Sequence, residues 1–515
     1  MTIIGNNITI SLKDGKDIVK DFNFILNDND KLALIGEEGN GKSSLIKFIY
    51  DNSLIDEYCF YSGSVNISKK EIGYIPQSIN SYYLDKTVEE FFITDDSSFE
   101  INYEIYNKIY EIEKLLDKFK LDKSILINDI KVSSLSGGEK IKIQLIKILI
   151  NRPKLYLFDE PTNDLDIETL EFLTNFMSGI KEPLIFISHD ETLLSNVSNM
   201  ILHLEQIKRK TEMKFTFEKM NYDDYLSFRK RKLNQQNLDA YRTHKEKEEK
   251  RQILIKQHSQ VASDLNQAVR DPSLGRILAK KMANIKSQEK KLEKMKVIEY
   301  SSVEEDINLF FSNYELIPNG KVILDFHLNR LVIGNKELSK DISLFVKGPE
   351  KITLIGSNGS GKTTLIKHIV NELNKVANIN VGYMPQNYED NMDFELTCVE
   401  FLAKKLGYDN KTKSKIMSYL GALNFIDYEM ASPIKELSGG QKAKLYLLSL
   451  VLEEKNVLVL DEPTRNLSPL SLPVIISILK GFKGCIISIS HDRRYIKEVS
   501  TVVYKLTKEG LTKMW

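Results

Sequence analysis

The sequence predicts an α/β protein in which two domains of one design are joined by an antiparallel α-helical hairpin. Three observations predict it. One ordered set of short motifs occurs twice, its later members at a constant offset: Ser136 recurs as Ser438, Glu160 as Glu462 and His189 as His491. In each copy an apolar run (Lys31 to Ile35, Lys351 to Ile355) leads into a glycine loop and then a helical pattern (Ser44 to Tyr50, Thr364 to Val370), which reads as strand, loop, helix. Between the copies, Tyr222 to Arg270 contains no glycine or proline and is rich in Lys, Glu, Gln and Leu, so a long helix is favoured.

A chain of 515 residues is too long for one core, and the duplication divides it into domains at 1–221 and 301–515 with a linker at 222–300. Lys+Arg and Asp+Glu both total 72, so overall charge selects neither a nucleic acid nor a membrane as partner. Cys59, Cys398 and Cys485 are scattered and form no CxxC, which argues against a zinc site or a disulfide framework. No apolar run reaches the roughly eighteen residues that cross a bilayer, and the N-terminus lacks the zones of a signal peptide, so a cytoplasmic protein without a membrane domain is expected.

The glycine loops read GxxxxGK[ST] at Gly36 to Ser43 and at Gly356 to Thr363. Such a loop between strand and helix lets backbone N–H groups approach phosphates, and the helix N-terminus adds a field that favours anions. Candidate phosphate-binding residues are therefore Gly36, Gly39, Gly41, Lys42, Ser43 and Ser44, and Gly356, Gly359, Gly361, Lys362, Thr363 and Thr364. Lys42 and Lys362 can reach the β- and γ-phosphates, and the hydroxyls of Ser43 and Thr363 can coordinate Mg2+.

Leu155 to Phe158 and Val457 to Leu460 are apolar runs that place Asp159-Glu160 and Asp461-Glu462 at the carboxyl end of a strand, where open parallel sheets bind ligands. Adjacent carboxylates there can divide labour. Asp159 and Asp461 suit the surroundings of a magnesium ion, and Glu160 and Glu462 suit orienting or deprotonating an attacking water. A solvated acidic turn is the plain alternative, but it does not explain the equal spacing from Ser136 to Glu160 and from Ser438 to Glu462.

The tetrads Leu135-Ser136-Gly137-Gly138 and Leu437-Ser438-Gly439-Gly440 resemble the signature of ATP-binding cassette proteins. A serine and two glycines opening a helix present a hydroxyl, N–H groups and a positive dipole end to a phosphate. The resemblance implies ATP and Mg2+ as cofactors and two cassettes arranged head to tail, each ATP held between them. One site would use Lys42, Ser43, Gln77, Asp159, Glu160 and His189, with Ser438 and Gly440 opposite. The other would use Lys362, Thr363, Gln386, Asp461, Glu462 and His491, with Ser136 and Gly138 opposite. In this reading Gln77 and Gln386 join the magnesium ligands, while Glu160, Glu462 and the switch-like histidines His189 and His491 are catalytic.

Three departures from the family pattern stand out. No aromatic residue suited to stacking on a base lies near Leu12 to Asp14 or Val332 to Asn335, so the sequence itself does not select adenine over guanine. Arg465-Asn466-Leu467-Ser468 replaces Asn163-Asp164-Leu165-Asp166 and loses a carboxylate, so unequal hydrolysis at the two sites is expected. Glu139 stands where the signature has Gln.

In the linker, Asp271-Pro272-Ser273 breaks the first helix, and a second runs from about Leu274 to Ile298 with an apolar seam at Leu278, Met282, Ile285, Leu292 and Met295. The tip is expected near Val261 to Ser273. Residues 222–300 hold 19 Lys/Arg against 11 Asp/Glu, an excess suited to phosphate backbones, although a solvated coiled coil is an equally good reading of charge alone. Two cassettes, no membrane domain and a basic helical linker are similar to the ABC-F family of ribosome-acting ATPases. That resemblance implies a partner ribosome, entered at the tRNA exit site, with the linker meeting large-subunit rRNA and the P-site tRNA, and a monomer whose cassettes pair intramolecularly. The stretch from Gln77 to Leu135 is little longer than that from Gln386 to Leu437, leaving small room for an extra arm, and the last strand ends soon before Trp515. This layout is most similar to members that protect ribosomes from antibiotics. A general translation factor is the nearest alternative, and a transporter ATPase subunit a more distant one.

Overall fold

The computed structural model describes residues 2–37, 39–96, 99–163, 165–207, 212–267, 272–295, 317–334, 336–423, 425, 427–453, 455–465, 467, 469 and 472–515. The chain forms two compact units, Met1–Tyr222 with Glu305–Trp515, and Asp223–Glu304.

In the first copy, β1 (Ile3–Leu12) pairs antiparallel with β2 (Asp17–Leu26), then β3 (Lys31–Gly36) leads through the glycine loop into α1 (Lys42–Tyr50). β4 (Cys59–Val65) and β5 (Ile72–Ile75) follow, and then a patch of short helices that includes Val88–Ile93 and Ile109–Lys118. α2 (Gly137–Ile150), β6 (Leu155–Asp159), α3 (Ile167–Gly179), β7 (Leu184–Ile187), α4 (Glu191–Val197), β8 (Met200–Ile207) and β9 (Glu212–Glu218) complete it. The main sheet has the order β5-β6-β7-β3-β8-β9, parallel except for β9, and β2-β1-β4 form a separate antiparallel sheet. Every residue of β3, β6 and β7 is buried, as expected of central parallel strands covered on both faces. Leu45, Ile46 and Ile49 of α1 pack between the two sheets against Phe22, Leu34 and Leu157. Because β3, β6 and β7 are neighbours running the same way, their carboxyl ends bring Gly36, Asp159 and Ser188-His189 together.

The second unit is the hairpin. α5 (Tyr222–Gln267) is a helix of 46 residues, about 70 Å long at 1.5 Å per residue, and α6 (Pro272–Glu293) returns alongside it. Leu254 and Val261 of α5 share a small core with Leu278 and Ile285 of α6, flanked by Leu265, Met282 and Leu292. Lys247 Nζ donates to the Met295 carbonyl at 3.2 Å, which fixes the antiparallel sense. Two expectations need correction. Val261 belongs to the packed seam rather than to the tip, because α5 continues to Gln267. Pro272 starts α6 instead of only breaking α5, since the first helical position needs no N–H and the proline ring presets its φ. Arg270, Asp271, Ile298 and the expected boundary at residues 300 and 301 lie outside the described residues.

The second copy repeats the first. β10 (Val322–Ile333) and β11 (Lys336–Lys347) form an antiparallel pair, followed by β12 (Lys351–Ile355), α7 (Lys362–Leu373) and β13 (Val381–Met384). Then come α8 (Gly439–Leu452), β14 (Val457–Asp461), α9 (Leu472–Gly481), β15 (Cys485–Ile489), α10 (Arg493–Val499), β16 (Val502–Thr507) and β17 (Gly510–Lys513). The sheet order β13-β14-β15-β12-β16-β17 is that of the first copy, element for element.

Candidate active site

Each glycine loop is held open by backbone that other residues resist. Gly41 caps α1 at φ 83°, and a Cβ there would stand 2.2 Å from Ile18 Cγ2. Its equivalent Gly361, at φ 95°, would meet Leu331 Cδ2 at 2.8 Å. The loop thus passes against β2 in one copy and the β10–β11 pair in the other, where only glycine fits. Both helices begin at the lysine, two residues earlier than Ser44 and Thr364, so these lie within the first turn.

The lysines bridge their own loops. Lys42 Nζ donates to the Gly36 and Glu37 carbonyls at 2.8 and 2.9 Å, and Lys362 Nζ to the Gly356 and Ser357 carbonyls at 2.8 and 3.0 Å. Burial holds the Lys362 ammonium below the usual lysine range, against the opposing pull of Glu462, Asp166 and Asp461. A buried ammonium held by neutral carbonyls is placed to exchange them for phosphate oxygens.

Ser43 Oγ donates to Asp159 Oδ1 at 2.9 Å, and the Thr363 hydroxyl supports Asp461 in the same way. Burial raises the Asp159 carboxyl to about 6, the Ser43 bond acting against it. Burial likewise raises Asp461, whose Oδ2 is buried without a hydrogen-bond partner. An orphaned carboxylate oxygen beside a hydroxyl at the mouth of a phosphate loop fits a hard cation. Among the described residues no group of three His, Cys, Asp or Glu forms a closed metal site.

Glu160 and Glu462 carry positive φ values of 51° and 55°, a strained setting for glutamate, and each is pinned by its backbone N–H to a strand carbonyl, Ile187 at 3.1 Å or Ile489 at 3.0 Å. Around Glu160 three groups converge: Gln77 Nε2 at 3.1 Å, Asn163 Nδ2 at 2.7 Å and His189 Nε2 at 3.2 Å. Burial pushes the Glu160 carboxyl up, but His189 and Asn163 outweigh it and hold the group at about 2. In the second copy His491 Nε2 is 3.6 Å from Glu462, too far for a good hydrogen bond, and Arg465 replaces Asn163. Burial and the neighbouring Asp461 carry Glu462 up to about 7, and burial with Lys362 lowers His491 to about 4.

The second-copy residues line one cavity of about 570 Å³ that includes Gly359, Gly361, Lys362, Thr363, Thr364, Gln386, Asp461, Glu462 and His491. Its opposite wall comes from the first copy: Thr162, Asn163, Leu165, Leu170, His189 and Asp190. Ser136, Gly137 and Gly138 do not line it. Ser136 instead caps α2 in a reciprocal box with Glu139, its Oγ donating to Glu139 Oε2 at 2.7 Å. Ser438 caps α8 the same way with Gln441, and Gly439 accepts from Tyr388 Oη at 3.0 Å. The wall facing Lys362 is therefore the loop after Glu160, not the LSGG helix end, while Gly440 and Gly439 lie in the first turn of α8.

Ile333 lines the cavity within the Val332 to Asn335 stretch, where the sequence offers no aromatic residue, and the bond from Asn163 to Glu160 is one that sequence reasoning missed. The only advance signal for the latter was that Arg465 occupies the matching place.

Two matches to one family model, described as ABC transporter, cover residues 19–163 and 339–465 and contain both loops and both aspartate–glutamate pairs. The chain belongs to the ATP-binding cassette family. Among its relatives are the ATP-binding protein Uup of Buchnera aphidicola subsp. Schizaphis graminum, 30% identical over 96% of this chain and 79% of that protein. The ribosome protection protein VmlR of Bacillus subtilis is 28% identical over 98% of this chain and 87% of its own length. ATP-binding cassette sub-family F member 2 of Bos taurus, 24% identical over 97% and 80%, places this tandem cassette chain with the F subfamily, ABC-F. The archaeal recycling factor aABCE1, solved with the ribosomal stalk protein aP1, shares the tandem cassette fold at TM-score 0.54 and 17% identity, over 95% of this chain and 86% of that one. Among the described residues no helix is long and apolar enough to cross a membrane.

Proposed function

We propose that this ABC-F protein is a Mg2+-dependent cytoplasmic ATPase that binds the ribosome and protects it from antibiotics acting at the peptidyl-transferase centre. The observation that carries the enzymatic half is the convergence of Gln77, Asn163 and His189 on Glu160 beside a loop in which Lys42 and Ser43 are already oriented. Lys42 and Lys362 hold the β- and γ-phosphates. Ser43, Gln77 and Asp159, or Thr363, Gln386 and Asp461, would hold magnesium, which would supply charge neutralisation at the phosphates. Glu160, kept ionised, accepts hydrogen bonds from the attacking water, and His189 holds the carboxylate in place. Closure of the cassettes then brings Ser438 and Gly440 to the first ATP, and Ser136 and Gly138 to the second.

The ribosomal half is supported by the hairpin and by the relative whose name states ribosome protection. Arg276, Lys280, Lys281, Lys286, Lys290 and Lys291 are all exposed along α6, with Lys294 exposed just beyond its end, a stripe that can follow the phosphates of rRNA and P-site tRNA. A transporter subunit gives no use for such a hairpin. The test replaces residues 262–273 with a short glycine–serine loop and measures tolerance of a sensitive host to a panel of peptidyl-transferase inhibitors. Loss of tolerance with ATP hydrolysis retained supports protection. Unchanged tolerance to every drug in both chains favours the general translation factor.

A further inference from the structure

The contact between the copies is made by equivalent helices carrying unlike charge. Arg493 Nη2 of α10 donates to Asp190 Oδ1 at 2.9 Å and to Thr174 Oγ1 on α3 at 3.2 Å. Arg494 Nη1 pairs with Glu191 of α4, while its Nε donates to Glu498 Oε1 at 2.8 Å. Farther out, Lys505 Nζ meets Glu168 Oε1 at 2.7 Å. In all three pairs the cation comes from the second copy and the acid from the first.

This pattern runs against local preference. Two arginines in the first turn of a helix face the positive end of its dipole, where acids are favoured and where α4 has Glu191. Such a conflict persists when tertiary partners offset it. Asp190 is only 10% exposed and Glu191 7%, so removing their partners strands buried carboxylates, which surface pairs do not.

Arg493 occupies the position of Glu191 in the other copy, so the interface joins like elements, and its charges decide which copies can meet. Two first copies would set Asp190 against Glu191. In two second copies Arg493 would still meet Asp492, the counterpart of Asp190, but Arg494 would meet Arg493 in place of Glu191. Only a first copy with a second is matched at both arginines. We infer that Arg493 and Arg494, clamped on Asp190 and Glu191, form a charge-swapped pivot that docks the two cassettes of one chain directly behind His189 and His491 and excludes pairing between like cassettes.

The pivot is tested in the full chain by energy transfer between dyes on Lys123→Cys and Lys413→Cys, because the native cysteines are buried. Without nucleotide, Arg494→Glu or Glu191→Arg alone should lower the docked fraction at least fivefold, and the swapped pair E191R/R494E should restore it to within twofold of the parent. Circular dichroism separates undocking from misfolding. Light scattering should show E191R and R494E chains, when mixed, forming dimers that neither forms alone. A swap as undocked as either single variant, or single variants with the parent's distance distribution, overturns the pivot.

Discussion

His189 Nε2 lies 3.2 Å from Glu160 Oε1, within hydrogen-bonding reach, whereas the equivalent His491 stands 3.6 Å from Glu462. Burial raises both carboxyls, but His189 and Asn163 outweigh it at Glu160 and hold that group at about 2, whereas at Glu462 burial and Asp461 outweigh Lys362 and Arg465 and carry it up to about 7. At neutral pH the first is fully ionised and the second is not. With Glu462 about half ionised at pH 7, Glu160→Gln is expected to lower ATP turnover by about threefold and Glu462→Gln by less than twofold, a general base contributing at least ~10²-fold at its own site. Steady-state phosphate release by the two variants checks this order.

The pH profile should separate the sites further. In the E160Q chain only Glu462 can act, and its base form grows as pH rises through about 7, so turnover at pH 8 should exceed that at pH 6 by about tenfold. The E462Q chain should show no such rise. Stability moves the opposite way: folded Glu462 keeps its proton up to about 7 while the unfolded chain loses it near 4.5, so this group weakens the fold as pH climbs across that window. Glu462→Gln should remove that part of the slope in urea titrations.

Gly41→Ala places a side chain at φ 83° and against Ile18. A cost of about 1–3 kcal/mol is expected from the backbone alone, with ATP binding lost as the loop shifts. Adding Ile18→Ala relieves the clash but not the dihedral strain, so calorimetry should show only partial recovery.

The hairpin core is small, and Ile285 is 4% exposed within it. Ile285→Ala should cost about 2–5 kcal/mol locally and raise amide exchange throughout α6, with ATP turnover unchanged. Exchange that rises equally in the cassettes would show that the hairpin does not open by itself.

Much of this molecule is legible because its chemistry is local. A glycine loop after an apolar run fixes strand, turn and helix within twenty residues, and the period of Leu278, Ile285 and Leu292 writes the hairpin seam. Val261 was misplaced because a helix without breakers gives no sign of where its packed part ends. The partners of Glu160 are legible in part: Gln77 and His189 recur in both copies, whereas Arg465 takes the place of Asn163, so repetition does not mark that residue. Arg493 and Arg494 could not be paired from sequence, since Asp190 and Glu191 lie 303 residues away and nothing in either segment names the other. Glu139 read as a mild departure, yet it completes the box with Ser136, a pattern visible in the serine three residues before it.

The most direct test of ATP-gated ribosome binding is sedimentation of the E160Q/E462Q chain through sucrose with purified ribosomes and ATP. The account predicts near-complete co-sedimentation with ATP and little with ADP, reduced by salt in proportion to the hairpin's lysines. A chain that stays in the supernatant with ribosomes and ATP, or pellets only with membrane vesicles, contradicts it.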